Sequence, residues 1–170
     1  MLIRKIKSIS CWDIDRIKEK IHREDATAPG DSIADLRTVN NCLSVWYTPD
    51  LEDKNLMPVL TAMALGRDSI QKFTYVVMDE AALADMGISA TGVKGAAPGV
   101  SDPDILNRHR DLTDIDHKRL GMLAEYIFRL VKNRSGRTIS EKDIKKNIHQ
   151  LISECRIEKD GLNSGIGKDL

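Results

Sequence analysis

Aromatic side chains are scarce in this chain of 170 residues, and cysteine is scarcer still. Phe, Trp and Tyr together make up 4% of the sequence, whereas hydrophobic residues as a whole reach 41%. The core is therefore expected to consist mainly of aliphatic side chains. Cys11, Cys42 and Cys155 are odd in number, far apart and never in a C-x-x-C pair. That spacing excludes a disulfide framework and a zinc cluster of the usual kind.

The chain also lacks a long apolar run and a net charge. No stretch approaches the ~18 apolar residues of a membrane span, and no apolar run of signal-peptide length follows the charged N-terminus. The 26 basic and 26 acidic residues cancel, which argues against binding nucleic acid or a membrane through total charge. The charge is nevertheless segregated, since an acidic middle (24–104) lies between basic flanks (1–23 and 105–159). We expect a cytoplasmic protein that needs no membrane and no cofactor.

Periodic hydrophobic residues predict alternating strands and helices. Residues 2–9 and 42–47 alternate, the former imperfectly, between apolar and polar side chains, as strands do. The apolar run at 73–78 is typical of a strand buried on both faces, and apolar residues at helical spacing over 56–64 predict a helix before it. This order favours a βαβ unit in which 42–47 and 73–78 are parallel neighbours joined by a right-handed crossover.

Further helices are predicted on both sides of this unit. Asp13 has the position of an N-cap for a first helix that ends near Glu24. A long helix follows Thr113 and Asp116, which resemble a capping pair, and Ser140 opens a last helix. The apolar stripe of the long helix consists of Leu120, Leu123, Ala124, Ile127, Phe128 and Val131.

A segment without periodic pattern lies between the predicted βαβ unit and the predicted C-terminal helices. Residues 87–104 are rich in Gly and Pro, and a loop of this length is usually either functional or mobile. We therefore expect a single α/β domain over 1–159. It should have a small mixed or parallel sheet flanked by helices and a helical C-terminal third over 105–159. Residues 160–170 have no periodic pattern and are expected to form a flexible tail.

Two carboxylates follow the apolar strand at 73–78. Asp79 and Glu80 have the position of metal-holding acids at a strand end in nucleotide hydrolases, but the chain lacks the G-x-x-x-x-G-K-[ST] loop that cradles phosphates. An ATPase is therefore excluded. The simpler interpretation is that Asp79 is the N-cap of the next helix and Glu80 lies in its first turn.

Acidic residues and histidines are dense between Asp102 and His117. Carboxylates suit Mg²⁺ or Mn²⁺, and imidazoles suit Zn²⁺, although no spacing such as H-E-x-x-H places two of them on one helix face. A metal-dependent hydrolase or nuclease is thus an alternative function, in which Glu80 or His117 would move a proton. The plain alternative is a solvated acidic stretch. The candidate metal ligands are Asp79, Asp102, Asp104, His109 and Asp111.

Basic residues cluster in the last predicted helices and could contact a partner. If that partner were nucleic acid, its affinity would fall steeply with salt. A solvated charged face is the other interpretation. Trp46 would be an anchor for a partner if its strand were an edge, and part of the core if the strand were buried on both sides. The candidate partner-binding residues are Trp46, Arg134, Arg137, Lys142, Lys145 and Lys146.

No complete catalytic motif occurs in the sequence, which favours a protein that is not an enzyme. By elimination, we expect a cytoplasmic protein–protein interaction module that acts as an accessory subunit or as an inhibitor or immunity-type partner of another protein. The metal-dependent hydrolase or nuclease remains the first alternative. Nucleic-acid binding through the basic C-terminal helices remains the second.

Overall fold

The computed structural model of the chain describes residues 1–21 and 30–170. Among these residues, no helix is both long and apolar enough to span a membrane. The strands are β1 Leu2–Ile6, β2 Leu43–Tyr47, β3 Phe73–Met78, β4 Ser89–Gly92, β5 His109–Thr113 and β6 Gly136–Ile139. The helices are α1 Ile14–Ile21, α2 Gly30–Asp35, α3 Asp53–Leu65, α4 Glu80–Asp85, α5 Pro103–Leu106, α6 His117–Lys132, α7 Glu141–Ser153 and α8 Ser164–Asp169, with 3-10 turns at Ile9–Cys11 and Lys159–Gly161.

The strands of the described residues form one sheet in the order β4-β5-β2-β1-β3-β6. β1 and β3 are antiparallel, with Leu2 opposite Met78 and Ile6 opposite Thr74. The fold is thus a mixture of helices and strands, as expected, but its sheet is antiparallel. The prediction of a mixed or parallel sheet is wrong.

The predicted βαβ unit fails because β1 lies between its two strands. In an antiparallel sheet, strands that are two places apart run in the same direction, so β2 and β3 can still be joined by a helical crossover. They are not neighbours, however, because the first strand of the chain is inserted between them. Local hydrophobic pattern carries no information about such an insertion.

Contacts divide the chain into two compact units. Unit 1 comprises 1–45, 74–91 and 111–137, and unit 2 comprises 46–73, 92–110 and 138–170. The end of unit 2, which the sequence predicts to be a flexible tail, contains α8, and Ile166 of that helix is fully buried.

Helix α6 supplies much of the core of unit 1. Its N-cap is Asp116, whose carboxylate accepts from the N–H of Arg119 at 2.8 Å. The helix begins at His117, since Thr113 belongs to β5, so Thr113 is not part of the cap. Burial of each large apolar side chain is worth roughly 1.5 to 3 kcal/mol before entropy. The stripe is confirmed except for half-buried Leu120, and its buried members are Leu123, Ala124, Ile127, Phe128 and Val131.

Arg4 of β1 is a charged residue inside the sheet of unit 1. Burial lowers the pKa of its guanidinium, and the charge of Asp35 partly offsets this. The guanidinium donates to the backbone oxygens of Ser44 at 2.8 Å and Asp35 at 3.1 Å. The Asp35 carboxylate accepts from the backbone N–H of Lys7 at 2.7 Å and from the indole N–H of Trp12 at 3.0 Å. One carboxylate thus fixes the end of β1 and a fully buried tryptophan.

Unit 2 is built around the packing of α3 against α7. Asn147 of α7 donates to the backbone oxygen of Met57 at 3.2 Å and to the hydroxyl of Thr61 at 2.6 Å. The predicted start of α7 is confirmed, since the Ser140 hydroxyl accepts from the N–H of Asp143 at 3.1 Å. The hydrogen bonds of Asn147 fix the register in which α3 and α7 pack, because the rest of their contacting faces is largely apolar.

The Gly- and Pro-rich segment at 87–104 is more ordered than its composition predicts. It contains β4 and the first two residues of α5, and the chain after α7 holds its middle in place. Glu158 donates its N–H to the oxygen of Gly99 at 2.7 Å, and Val100 forms a bridge with Ile157. Gly99 has a φ of 76°, and a Cβ there would lie 2.9 Å from the oxygen of Glu158. A glycine is therefore required at this close approach.

Two other predictions about secondary structure have different outcomes. The predicted end of the first helix near Glu24 lies outside the described residues. The C-terminal third (105–159) is only partly helical, because β5 and β6 lie within it.

We expect the substitution Asp35→Ala to lower the free energy of unfolding by about 2 to 4 kcal/mol. It removes the carboxylate that accepts from the Lys7 N–H and the Trp12 indole N–H, and with it the charge that partly offsets the burial of Arg4. The control is Asp85→Ala, which removes an exposed carboxylate from the end of α4 and should change stability by less than about 0.5 kcal/mol. Urea denaturation measures both variants. Equal stability of the two variants would contradict the role given to Asp35.

Candidate functional site

Asp79 and Glu80 have structural partners in unit 1. The Asp79 carboxylate accepts from the N–H of Ala81 at 3.0 Å, which confirms it as the N-cap of α4. The Asp79 N–H donates to the hydroxyl of Tyr126 at 3.0 Å. Glu80 lies in the first turn of α4, 3.6 Å from the N-terminal amine of Met1. Both carboxylates therefore have local partners that explain their positions.

Asp102 is the N-cap of α5 in unit 2 and forms an ion pair with Arg156. Its carboxylate accepts from the N–H of Asp104 at 2.8 Å and from Nε of Arg156 at 2.5 Å. Burial alone would raise the pKa of the Asp102 carboxyl, but these hydrogen bonds and the Arg156 charge outweigh it, so the pKa lies below its usual value. Arg156 also contacts Glu154 at 3.3 Å. This pair fastens the segment before α5 to the chain after α7.

His109 packs against Trp46 inside unit 2. The two rings meet nearly edge to face, with 5.1 Å between their centroids. A Cβ at Gly95 would lie 2.9 Å from the Cβ of His109 and 3.2 Å from the Trp46 ring, so only glycine fits there. Trp46 is 7% exposed, and its strand β2 has a neighbour on each side. It belongs to the core and has no surface to offer a partner.

The remaining acidic and histidine candidates lie in unit 1. Asp111 is half-buried on β5, and His117 is the exposed first residue of α6. Asp116 caps that helix, and its hydrogen bond from Arg119 lowers the pKa of its carboxyl. Asp116 and His117 lie at the start of α6, where a carboxylate is favoured by the helix dipole.

The proposed metal ligands do not form a cluster in the described residues. Asp79 and Asp111 belong to unit 1, whereas Asp102, Asp104 and His109 belong to unit 2. Throughout the described part of the chain, no group of three or more His, Cys, Asp or Glu side chains could hold a metal ion. The geometry therefore lends the hydrolase or nuclease interpretation no support.

The basic candidates on α7 lie on the exposed face of unit 2. Lys142 and Lys146 are exposed, and neither forms an ion pair with a described residue. Lys145 is half-buried and forms an ion pair with Glu141 at 2.8 Å. Exposed lysines without ion pairs in the described residues are typical of a solvated helix face.

Arg134 has a strained backbone at the C-terminal end of α6. Its φ is 58°, in the left-handed region that favours glycine. The N–H of Arg134 donates to the backbone oxygen of Val131 at 3.0 Å. The N–H of Ser135 donates to the backbone oxygen of Leu130 at 2.8 Å. This is a Schellman end, where glycine is the usual residue and a side chain costs roughly 1 kcal/mol. An arginine is therefore present where the fold prefers glycine.

Gly136 lies at the start of β6 and faces Ile9. A Cβ at Gly136 would lie 3.5 Å from Cγ1 of Ile9 and 3.7 Å from Cγ2 of Val131. Ile9 is 40% exposed and is one of few large apolar side chains in the described residues that face solvent so openly. The start of β6 therefore has an apolar contact surface beside it.

Arg137 follows on β6, which is an edge of the sheet. Its side chain is exposed, and neither it nor Arg134 forms an ion pair or side-chain hydrogen bond with a described residue. We call the four residues Ile9, Arg134, Gly136 and Arg137 the β6-edge surface. All four belong to unit 1. The surface combines two available guanidinium groups, an exposed isoleucine and an open strand edge.

Comparison with family models, with curated proteins and with solved structures finds no match for this chain. The assignment of a site therefore depends on the geometry described above.

The sequence identifies only half of the β6-edge surface. Arg134 and Arg137 are recognised as basic residues, but Ile9 is missed, because it follows β1 and its exposure depends on the fold. The available signal was Gly136, a residue without a side chain between two arginines. Such a glycine is typical of a close approach by another part of the chain.

We expect the stabilising effect of the ion pair between Asp102 and Arg156 to depend on pH. Because the pKa of Asp102 is lowered in the folded state, the contribution is present above about pH 4 and is lost as the pH falls through the folded pKa. Arg156→Gln should lower the free energy of unfolding by about 1 to 3 kcal/mol at neutral pH and by less at acidic pH.

The control for this measurement is Lys159→Gln, which removes an exposed cation three residues later and should change stability by less than about 0.5 kcal/mol. Urea denaturation at neutral and acidic pH gives the comparison. A loss in Arg156→Gln that is the same at both pH values would show that the ion pair does not cause it.

Proposed function

We propose that this protein is a cytoplasmic protein–protein interaction module that binds its partner through the β6-edge surface. It would act as an accessory subunit or as an inhibitor of that partner. The observation that carries the proposal is the combination of an open strand edge with exposed Ile9 and two arginines without partners in the described residues.

An edge strand offers backbone donors and acceptors that another chain can use. β6 pairs with β3 on one side, and no strand of the described residues covers its other side. Edge strands in natural proteins are usually short and charged, which prevents indiscriminate pairing. β6 has only four residues, and one of them is the exposed Arg137. It would therefore accept a partner strand of opposite charge and repel a positively charged one.

The backbone of Arg134 supports a role in binding. Glycine would relieve the left-handed strain at this helix end, so the arginine destabilises the fold slightly. Strained residues that persist in a fold often serve function, since activity and stability are commonly traded against each other. Its guanidinium has no described partner that would account for the side chain structurally.

A protein partner explains this surface better than nucleic acid does. The chain has no net charge, and neighbouring Lys132 is engaged by Asp15 at 3.2 Å, so the local positive charge is limited to a few groups. Nucleic-acid sites depend on many phosphate contacts, whereas protein interfaces combine arginine with buried apolar groups. Exposed Ile9 supplies such an apolar group.

The variant Arg134→Gly tests the proposal because it should stabilise the fold while removing the binding side chain. We expect its free energy of unfolding to rise by up to about 1 kcal/mol and its affinity for the partner to fall by about tenfold or more. The measurement is retention of a protein from host lysate on wild-type and variant chains, followed by titration of the purified partner.

The matched control is Cys155→Gly, which relieves the same strain at the end of α7, where Cys155 has a φ of 56°. This variant should also gain stability but should retain the partner. Because both variants are expected to be at least as stable as the wild type, loss of binding cannot be ascribed to unfolding. Equal retention by both variants, or no retained protein for the wild type, would refute the proposal.

A further inference from the structure

Helix α8 of unit 2 is a poor helix by its own sequence. It has six residues, two of which are Gly165 and Gly167, and glycine in a helix costs conformational entropy. Asn163 at its N-cap position makes no capping hydrogen bond with its side chain. So short a helix is not stable alone, so contacts with the rest of unit 2 must hold it in place. We call residues 162–170 the strap.

Contacts along the strap dock it onto unit 2. The side-chain amide of Asn163 donates to the backbone oxygen of Arg67 at 2.9 Å, instead of capping α8. The side chain of Leu162 packs on Gly99, since a Cβ built at Gly99 would lie 2.6 Å from Cδ2 of Leu162. Ile166 is fully buried, so its side chain fills a closed pocket. Tertiary contacts therefore replace the local ones that α8 lacks.

The two glycines of α8 have different roles. A Cβ at Gly165 would overlap the backbone oxygen of Asp68, so glycine is needed for this close approach. A Cβ at Gly167 would have no atom of the described residues within 4 Å beyond its own helix and its chain neighbours. Packing thus explains Gly165 but not Gly167, which only weakens the helix. The docked strap is less stable than the same contacts would permit.

The chain just before the strap has its own attachment to unit 2. The N–H of Glu158 donates to the oxygen of Gly99 at 2.7 Å, and Ile157 forms a bridge with Val100. These backbone contacts lie outside the strap, and no strand of the described residues includes a strap residue. Undocking of the strap would therefore leave the sheet and these attachments intact.

We infer that the strap is a releasable cover of unit 2. It undocks as a unit while the rest of unit 2 stays folded, and it thereby opens the pocket that Ile166 fills. This inference goes beyond the proposed function, whose surface belongs to unit 1. The strap's own sequence shows which side chains the open pocket accepts.

Hydrogen exchange of the full chain measures the undocking. Amides of α8 should exchange about a hundredfold or more faster than those of α7, with little dependence on urea, because local opening exposes little surface. Gly167→Ala should slow exchange in α8 about two- to fivefold, since alanine stabilises the helix. The control is Gly121→Ala in α6, where a built Cβ also has open space. It should stabilise unit 1 without changing exchange in α8.

A labelled peptide with the sequence of residues 158–170 tests the pocket in trans. The full chain with Ile166→Ala should bind this peptide about tenfold or more tightly than the wild type, whose own strap competes for the pocket. Gly165→Ala in the full chain is a second released variant and should behave likewise. Fluorescence anisotropy gives the affinities, and circular dichroism confirms that each variant is folded.

Matched peptides carry one glycine substitution each. The peptide with Gly165→Ala should not bind, whereas the peptide with Gly167→Ala should bind at least as tightly as the unchanged one. Equal binding of these two peptides would overturn the inference. Exchange of α8 at the rate of α7, with the same dependence on urea, would also overturn it, because the strap would then open only when unit 2 unfolds.

Discussion

The position of β1 inside the sheet is the constraint on which unit 1 depends. A strand that crosses the interior with an arginine at its centre needs an opposite charge and acceptors for its donors. Asp35 supplies the charge and one backbone oxygen, and Ser44 supplies another. The same carboxylate accepts from the Trp12 indole, whose ring packs 5.0 Å from Phe128 of α6. Charge compensation and apolar packing in this unit are therefore linked through one side chain.

The two strained helix ends show how the fold accommodates residues that local preference disfavours. Arg134 and Cys155 both adopt left-handed conformations after long amphipathic helices, and in each case backbone hydrogen bonds of the Schellman type define the turn. The helices are held by their buried stripes, so the small cost at the last turn does not prevent folding. This leaves the exposed side chains available for another role, as we propose for Arg134.

Local signals identified several elements correctly because their causes are local. The N-caps Asp79 and Ser140 accept hydrogen bonds from backbone groups two or three residues away, so their sequence context contains the whole interaction. The stripe of α6 follows from helical periodicity alone. β4, β5 and β6 were missed because they have only four or five residues and lack the apolar alternation of a half-buried strand. They are strands because they pair with segments that are distant in the chain, and no local pattern encodes that pairing.

By itself, the sequence determined the class of fold, the aliphatic core, the main amphipathic helices and the absence of complete catalytic motifs. Only the tertiary structure decided the order of the strands, the burial of Trp46 and the juxtaposition of Ile9 with Gly136. The physical reason is that periodicity and capping depend on neighbours within one or two turns, whereas sheet order and surface composition depend on contacts between residues far apart in the chain. The basic residues were visible in the sequence, but the open edge beside them was not.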